Sequence, residues 1–393
     1  MRLDQQNFTT EEIIRALHSS KRQVDFRYEL WTANGVYKKD LTNIRSGSVD
    51  QDSAAAIKRT AKFQMIEDQD IDFLSDRIRP FVRFYIDQRK MSPAFTAFLS
   101  SNFPARFDQQ MLGLNGWIEF PLGEFLLTSP IRKEENGIFI RDVACYDGCL
   151  ILQEDKFAER HFIPNGTSVR DAVIEILEGS GITNHNIQAS TKAVESDLEF
   201  AVGDEKLSAI NQLLVSAGYE ELHVDANGIY VANLYISPLY APADYSYMTD
   251  RHSVIFGGYE EELDYYNVPN KWVVVRTVSN KQPLVATYTN SNPSSPTSTI
   301  SRGRTILKKV EIDNIPDQQA LDMYAERIAF EDSQVFGVVK FESAIMPFHD
   351  YLNVLDIDFD GLIGNGKYLE TSWSIPFEVG GKMVHSVRRI ASI

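Results

Sequence analysis

Apolar and polar positions alternate along most of the first 150 residues, which predicts short antiparallel strands. One helical pattern precedes them near the N-terminus, and residues 92–115 interrupt them with a mixed, partly helical insertion. Asn34-Gly35 between two such runs is typical of a tight hairpin turn. Many short strands divided by turns favour a barrel or a sandwich, so we expect residues 1–150 to form a first β-barrel domain with a helical N-terminus.

The apolar spacing becomes helical in the next hundred residues. Ser168 with Asp171 three places later predicts the start of one helix, and a second helix is followed by a hairpin at Asn227-Gly228. We therefore expect residues 151–250 to form an α+β module that ends in a linker.

Strand patterns return in the last part of the chain, where residues 251–393 predict a second β-barrel domain. A helical pattern at about 316–331 lies within it. The stretch 286–305 is rich in Ser, Thr, Asn and Pro, and its few apolar side chains cannot offset the entropy of ordering it. We expect this stretch to be a mobile loop, and the two β-rich blocks to form two barrels of similar topology.

The net charge is −16 in 393 residues, and it is unevenly distributed. Residues 1–100 contain 16 basic and 14 acidic residues, whereas residues 101–393 contain 23 and 41. This balance argues against a protein that holds nucleic acid by neutralising phosphates. The alternative explanation of the acidic excess is that it only keeps the protein surface soluble. No apolar run reaches about 18 residues, so we expect no membrane-spanning helix.

A glycine-rich run from Gly361 to Lys367 has the spacing of a phosphate-binding loop. Tyr368 stands where Ser or Thr would hold magnesium, and the sequence that follows predicts a strand rather than a helix. A glycine-rich turn is therefore the better interpretation, and we expect no nucleotide or other cofactor.

Three alternating aspartates, Asp356, Asp358 and Asp360, begin like a calcium-binding loop. Lys367 occupies the position where that loop needs a bidentate glutamate. The residues between the aspartates are apolar, as in a half-buried strand with one polar face. We keep the three as weak metal-ligand candidates and expect a solvated strand face.

Other catalytic patterns are incomplete. Three residues lie between Cys145 and Cys149, so the pair matches neither a redox CxxC motif nor a zinc site, and we expect two small buried residues. The seven histidines form no HxxxH or HExxH pair, and no GxSxG motif is present. We therefore name no catalytic residue. A hydrolase whose residues meet only in space stays an alternative.

Several segments together resemble the baseplate-hub proteins of bacteriophages. These are the T-even hub type, which also forms the N-terminal region of tail-associated lysins in long-tailed phages and phage-like particles. The similar segments are Ile44 to Val49, Ala56 to Thr60, Phe120 to Leu127, Ile138 to Asp147, and the helix and hairpin at 204–231. The resemblance implies two barrels related to the tail-tube fold, with smaller α+β modules. The stretch 286–305 has no counterpart in the family pattern.

The resemblance also implies a function and partners. Three copies would form a pseudo-six-fold homotrimeric ring at the virion tail tip, assembled in the host cytoplasm. The ring would contact a tail tube or distal tail protein, a tape measure protein, and a tail spike or lysin, and DNA would pass through it without specific binding. Because the chain ends at Ile393, we expect the lytic domain of the lysins to be absent. The alternative function is a β-rich cell-wall or polysaccharide hydrolase of the tail tip.

Overall fold

A computed structural model gives the structure of the chain. It describes residues 8–87, 115–194, 196–250, 253–262, 266, 268–276, 283–312, 315, 317–333, 337–362 and 365–390. Apart from residue 115, the insertion predicted at 92–115 lies outside the described residues.

Strands make up most of the regular structure. The strands before the α+β module are β1 (Val24–Trp31), β2 (Tyr37–Asp40), β3 (Ile44–Asp52), β4 (Arg59–Ile66), β5 (Arg77–Asp87), β6 (Asn115–Pro121), β7 (Phe125–Leu127), β8 (Ile131–Glu135) and β9 (Ile138–Tyr146). Those of the module and the segment after it are β10 (His161–Ile163), β11 (His185–Ile187), β12 (Leu198–Phe200), β13 (His223–Val224), β14 (Tyr230–Ala232) and β15 (Tyr245–Met248). The last are β16 (Ile255–Glu262), β17 (Lys271–Arg276), β18 (Leu284–Thr289), β19 (Leu307–Ile312), β20 (Val338–Ala344), β21 (Val354–Asp358), β22 (Gly366–Pro376) and β23 (Lys382–Arg389).

The helices of the described residues are short except for the last. They are α1 (Thr10–Leu17), α2 (Cys149–Glu154), α3 (Val169–Gly179), α4 (Lys206–Ser216), α5 (Thr299–Arg302) and α6 (Gln318–Ser333). As predicted, the Ser168 hydroxyl accepts a hydrogen bond from the backbone N–H of Asp171 and caps α3. In the part of the chain that is described, no helix has both the length and the apolar character that a membrane crossing requires.

Fifteen strands, drawn from both β-rich blocks and β15, form one sheet, and β17, β18 and β19 of the second block form a separate three-stranded sheet. The main path of the large sheet runs β16-β20-β23-β22-β3-β4-β9-β7-β5-β1-β2. The blocks meet where β3 pairs antiparallel with β22, with Val49 opposite Ile375. The prediction of a mainly β chain with α+β insertions is confirmed. The pairing of β3 with β22 makes the two blocks continuous, and no closed barrel is detected among the described strands, so the division into two barrel domains stays a prediction.

One hydrophobic core fills the space between the two blocks. Val49 and Phe63 from the first block pack in the same cluster as Trp373 and Phe377 from the second. The rings of Phe63 and Phe377 stack with centroids 5.2 Å apart. Burying these side chains together favours one continuous body over two independent ones.

Two smaller cores lie beside the shared one. The first belongs to the α+β module, in which Leu177 of α3 and Leu213 of α4 are fully buried. The second is built by β17, β18 and β19 with α6, around Trp272 and Leu321. The helix predicted at 316–331 is α6.

The segment 286–305 is ordered through hydrogen bonds rather than forming the expected loop. It begins within β18 and contains α5. Asn290 is fully buried, and its Nδ2 donates to Ser295 Oγ at 2.9 Å and to Thr297 Oγ1 at 3.4 Å. The Ser298 hydroxyl caps α5. The expectation counted apolar side chains only, whereas polar side chains can also be buried when they bond to one another.

Candidate functional site

The three aspartates that the sequence named as metal candidates lie on and just after β21. Leu355 before them and Ile357 between the first two are fully buried, so Asp356 and Asp358 share the opposite face of the strand. Asp358 Oδ1 accepts a hydrogen bond from Asn365 Nδ2 at 2.5 Å. Among the described residues, the three aspartates belong to no cluster of ligand atoms.

The glycine-rich run from Gly361 to Lys367 connects β21 to β22, which pair as antiparallel neighbours. Strand β22 begins at Gly366, within the run, so the run leads into a strand rather than into a helix N-terminus. The ammonium group of Lys367 donates to the carbonyl oxygen of Ala241 at 2.6 Å. The strands on either side of the run pair with each other, as the predicted glycine-rich turn requires, and Ile363 and Gly364 lie outside the described residues.

Both cysteines are buried and free, as predicted. Burial raises the pKa of the Cys145 thiol and that of the Cys149 thiol, which opposes thiolate chemistry. Asp147 and Gly148 lie directly before helix α2. The Asp147 carboxylate accepts the N–H of Cys149 at 2.8 Å and that of Arg59 at 3.0 Å, so it joins the helix start to β4.

A buried cluster of His349, Glu370 and His385 is the site that the sequence did not indicate. Glu370 lies on β22, His385 on β23, and His349 in the loop after β20. The Nδ1 atoms of His349 and His385 lie 2.6 Å from Oε2 and Oε1 of Glu370, respectively. The exposed fractions of the three residues are 4%, 1% and 0%. Each imidazole therefore has one carboxylate oxygen as its partner.

Two hydroxyl groups complete the cluster on its outer sides. Tyr247 Oη of β15 lies 2.7 Å from Nε2 of His349, and Ser343 Oγ of β20 lies 2.7 Å from Nε2 of His385. With both rings neutral and protonated at Nδ1, the hydroxyls donate to Nε2 and the rings donate to Glu370, which satisfies all four bonds. The network thereby connects β15, β20, β22 and β23.

The charge state of the cluster follows from its surroundings. Burial by itself would raise the pKa of Glu370, but the two imidazoles outweigh it and lower that pKa. Burial lowers the pKa of His385 in spite of its bond to Glu370. Glu370 is therefore ionised, with a neutral His385 beside it.

His349, Glu370 and His385 are also residue types that bind metal ions, and their possible ligand atoms all lie within 4.8 Å of one another. Two ligands bound to one tetrahedral zinc ion at about 2.0–2.1 Å would be about 3.3 Å apart. The nitrogen–oxygen distances of 2.6 Å are shorter than this and fit hydrogen bonds. The arrangement thus does not fit a metal ion, and its burial leaves no room for a substrate. Its role is to cross-link strands.

Arg59 of β4 forms a second buried junction, with 1% of its surface exposed. Its guanidinium donates to Gln51 Oε1 at 3.2 Å, to the carbonyl of Leu122 at 3.0 Å and to Asp350 Oδ1 at 2.5 Å. It also lies 5.3 Å from the centre of the Trp373 ring. One side chain therefore holds together β3, β4, the turn after β6 and the second β-rich block.

The sequence matches no protein-family model and no curated protein. Solved structures do match, and they match nearly the whole chain. The tail protein from Neisseria meningitidis MC58 aligns with a TM-score of 0.64 and 11% identity, over 93% of this chain and 97% of that one.

Two further structures show the same similarity. The 43 kDa tail protein of prophage MuSo2 from Shewanella oneidensis aligns with a TM-score of 0.60 and 10% identity, over 92% of this chain and 98% of that one. A prophage tail protein from Listeria monocytogenes EGD-e aligns with a TM-score of 0.56 and 11% identity, over 93% and 95%. At these identities the similarity concerns the fold. The chain has the fold of phage tail proteins, as its resemblance to baseplate-hub proteins predicted.

Proposed function

We propose that the chain is a structural protein of a phage tail tip or baseplate, where three copies form a pseudo-six-fold ring. The observation that carries the proposal is the alignment with tail proteins, which extends over more than nine-tenths of both chains in each pair. Because fold and function are separable, the ring and its position are part of the proposal.

The internal construction of the chain supports a mechanical role. The two β-rich blocks share one core and one sheet, and the buried Arg59 and Glu370 networks cross-link strands that are far apart in sequence. A packed core transmits strain rather than absorbing it. A body of this kind suits a component that must keep its shape between a tube and a tip.

The partners in this proposal are the tail tube or a distal tail protein, a tape measure protein, and a tail spike or lysin. The ring would stand at the virion tail tip after assembly in the host cytoplasm. The proposal gives the chain no catalytic role, and release of soluble fragments from purified cell wall by the chain would contradict that part.

Passage of DNA through the ring is the last part of the proposal. Basic residues facing the lumen would gain phosphate contacts, whereas acidic and neutral ones would not. The acidic excess of residues 101–393 is consistent with a lining that repels phosphate within a Debye length of about 8 Å. We expect the purified chain to leave the electrophoretic mobility of DNA unchanged at about 0.15 M salt. Tight binding under those conditions would contradict this part.

Native mass spectrometry and particle imaging test the assembly. We expect a species of three times the 44.6 kDa chain mass, either for the purified chain or after a neighbouring tail protein is added. A tagged chain should appear as a ring at the tail tip in averaged particle images. A chain that is monomeric in both conditions, or that is absent from the particle, would overturn the proposal.

A further inference from the structure

A cavity of about 380 Å³ lies where the α+β module, helix α6 and the large sheet meet. Glu220 and Tyr235 come from the module and the segment that follows it, Arg327 comes from α6, and Tyr351 comes from the loop before β21. The volume falls within the range of about 300–1,000 Å³ that is usual for ligand pockets.

The cavity wall has more acidic than basic side chains, and not all of the acidic ones are paired. The carboxylates belong to Glu220, Glu221, Asp244 and Glu331, and the guanidinium groups to Arg327 and Arg388. Glu221 binds Lys58, Glu331 binds Arg327, and Asp244 accepts the N–H of Val354. In the described part of the chain, the side chain of Glu220 has no hydrogen-bond partner. The wall thus carries excess negative charge, and the carboxyl group of Glu220 has no partner among the described residues.

A second polar group of the same wall is also unpaired. The Tyr235 hydroxyl is buried and has no hydrogen-bond partner among the described residues. The ring of Tyr235 is held by Arg327, whose guanidinium carbon lies 4.4 Å from the ring centre. This oxygen is closed to a water-sized molecule, so a ligand in the cavity would meet the Tyr235 ring rather than its hydroxyl.

We propose that this cavity binds an organic cation, an ammonium or guanidinium group of the kind that lysine and arginine side chains carry. The cation would pair with the Glu220 carboxylate. The idea that a neighbouring tail protein supplies this side chain rests on the proposed function. The proposal that the cavity binds a cation does not rest on the proposed function.

The protonation of Glu220 provides an independent signature. Burial raises the pKa of this carboxyl to about 7, although Arg327 opposes the shift. A cation that needs the ionised form should bind about tenfold more tightly at pH 8 than at pH 6, because the ionised fraction rises by about that factor. Binding near pH 7 should also release protons.

Calorimetric titration of the full chain with small probes tests the site. The probes are Nα-acetyl-arginine amide and Nα-acetyl-lysine amide, with Nα-acetyl-glutamine amide as the uncharged control. We expect both cations to bind more tightly than the control. Glu220→Gln should weaken cation binding about tenfold or more and remove its pH dependence, whereas Tyr235→Phe, which changes no atom that faces the cavity, should leave it unchanged.

Glu175→Gln is the matched control, because Glu175 is exposed on α3, outside the cavity lining, and the substitution changes the net charge equally. It should leave binding unchanged, and thermal denaturation should show that all three variants are folded. The proposed site would be overturned if the wild type and Glu220→Gln bound the cations equally well. It would also be overturned if the wild type bound the uncharged probe as tightly as the cations. A trimeric chain that binds no cation would refute this inference alone, whereas a monomeric chain that binds cations would refute only the ring.

Discussion

Arg59 and Asp350 are 291 residues apart in sequence and form an ion pair with a nitrogen–oxygen distance of 2.5 Å. Arg59 is almost completely buried, whereas the Asp350 side chain keeps 37% of its surface exposed. The pair fastens strand β4 to the loop before β21, close to the pairing of β3 with β22. The first and last parts of the chain are thus joined by charge as well as by the sheet.

Replacement of Arg59 by methionine should strongly destabilise the fold. The change leaves the Gln51 amide oxygen and the Leu122 carbonyl without their donor in a buried site. We expect the free energy of unfolding to fall by about 3 kcal/mol, measured by urea denaturation. Arg132→Met is the control, since Arg132 pairs with Glu67 at an exposed position and should matter much less. Equal effects of the two substitutions would contradict the role of Arg59.

Two substitutions at Glu370 should differ sharply in effect. Alanine removes the acceptor of two buried imidazoles and leaves a cavity, so we expect a loss of about 3–5 kcal/mol in the free energy of unfolding. Glutamine keeps the shape and can donate to His385 Nδ1. The His385 ring would then carry its proton on Nε2 and donate it to the Ser343 oxygen. The Ser343 hydroxyl can in turn donate to the carbonyl of Ala344, which lies 2.9 Å away.

The glutamine variant should therefore lose clearly less stability than the alanine variant. Chemical denaturation of both variants, compared with the wild type, measures the difference. If glutamine is as damaging as alanine, the proposed tautomers and the donor role of the Ser343 hydroxyl are wrong.

Acid should weaken the contribution of two buried histidines to stability from about pH 6.5 downward, whereas the carboxyls of Glu220 and Asp147, whose folded-state pKa values burial raises, act in the opposite sense there. Burial lowers the folded-state pKa of His385 and of His223, so near pH 6.5 the unfolded chain takes up protons that the folded chain does not. The lowered pKa of Glu370 acts with the same sign at lower pH, because its contribution is present above the unfolded pKa and is lost on acidification.

Melting temperatures measured between pH 7 and pH 5 test this expectation. On acidification the wild type should lose stability relative to His385→Asn, because asparagine offers a donor to Glu370 but does not titrate. Because His223 still titrates in the variant, part of the pH dependence of the melting temperature should remain. Parallel curves for the two proteins would show that His385 does not contribute.

The sequence predicted local structure better than it predicted contacts. Turn signals such as Asn34-Gly35 and the cap at Ser168 act over a few residues, and the structure contains both features. The continuity of the two β-rich blocks depends on the pairing of β3 with β22, about 320 residues away in sequence. No local pattern encodes that pairing.

The buried His–Glu–His cluster was missed for a related reason. His349, Glu370 and His385 are spaced by 21 and 15 residues, and the antiparallel register of β22 and β23 brings the last two together. One signal was present, because Glu370 and His385 each fall at a buried position of an alternating strand. Ionisable residues at such positions require partners, so they could have been paired with each other.

A further prediction concerns the start of helix α2, where the α+β module meets the large sheet. A Cβ atom on Gly148 would lie 2.1 Å from the hydroxyl oxygen of Tyr230, which donates to the Gly148 carbonyl at 2.7 Å. Gly148→Ala should therefore displace the buried Tyr230 ring and break this bond, lowering the free energy of unfolding by about 2–3 kcal/mol.

Gly179→Ala at the end of α3 is the matched control, because no atom lies within 4 Å of the Cβ it would add. Alanine is also a better helix former than glycine, so this variant should unfold at the same or a higher denaturant concentration. Combining Gly148→Ala with Tyr230→Phe should cost less than the sum of the single changes, since both remove the same hydrogen bond and the phenylalanine ring lacks the clashing oxygen. Additive losses would mean that the two residues do not meet at this junction.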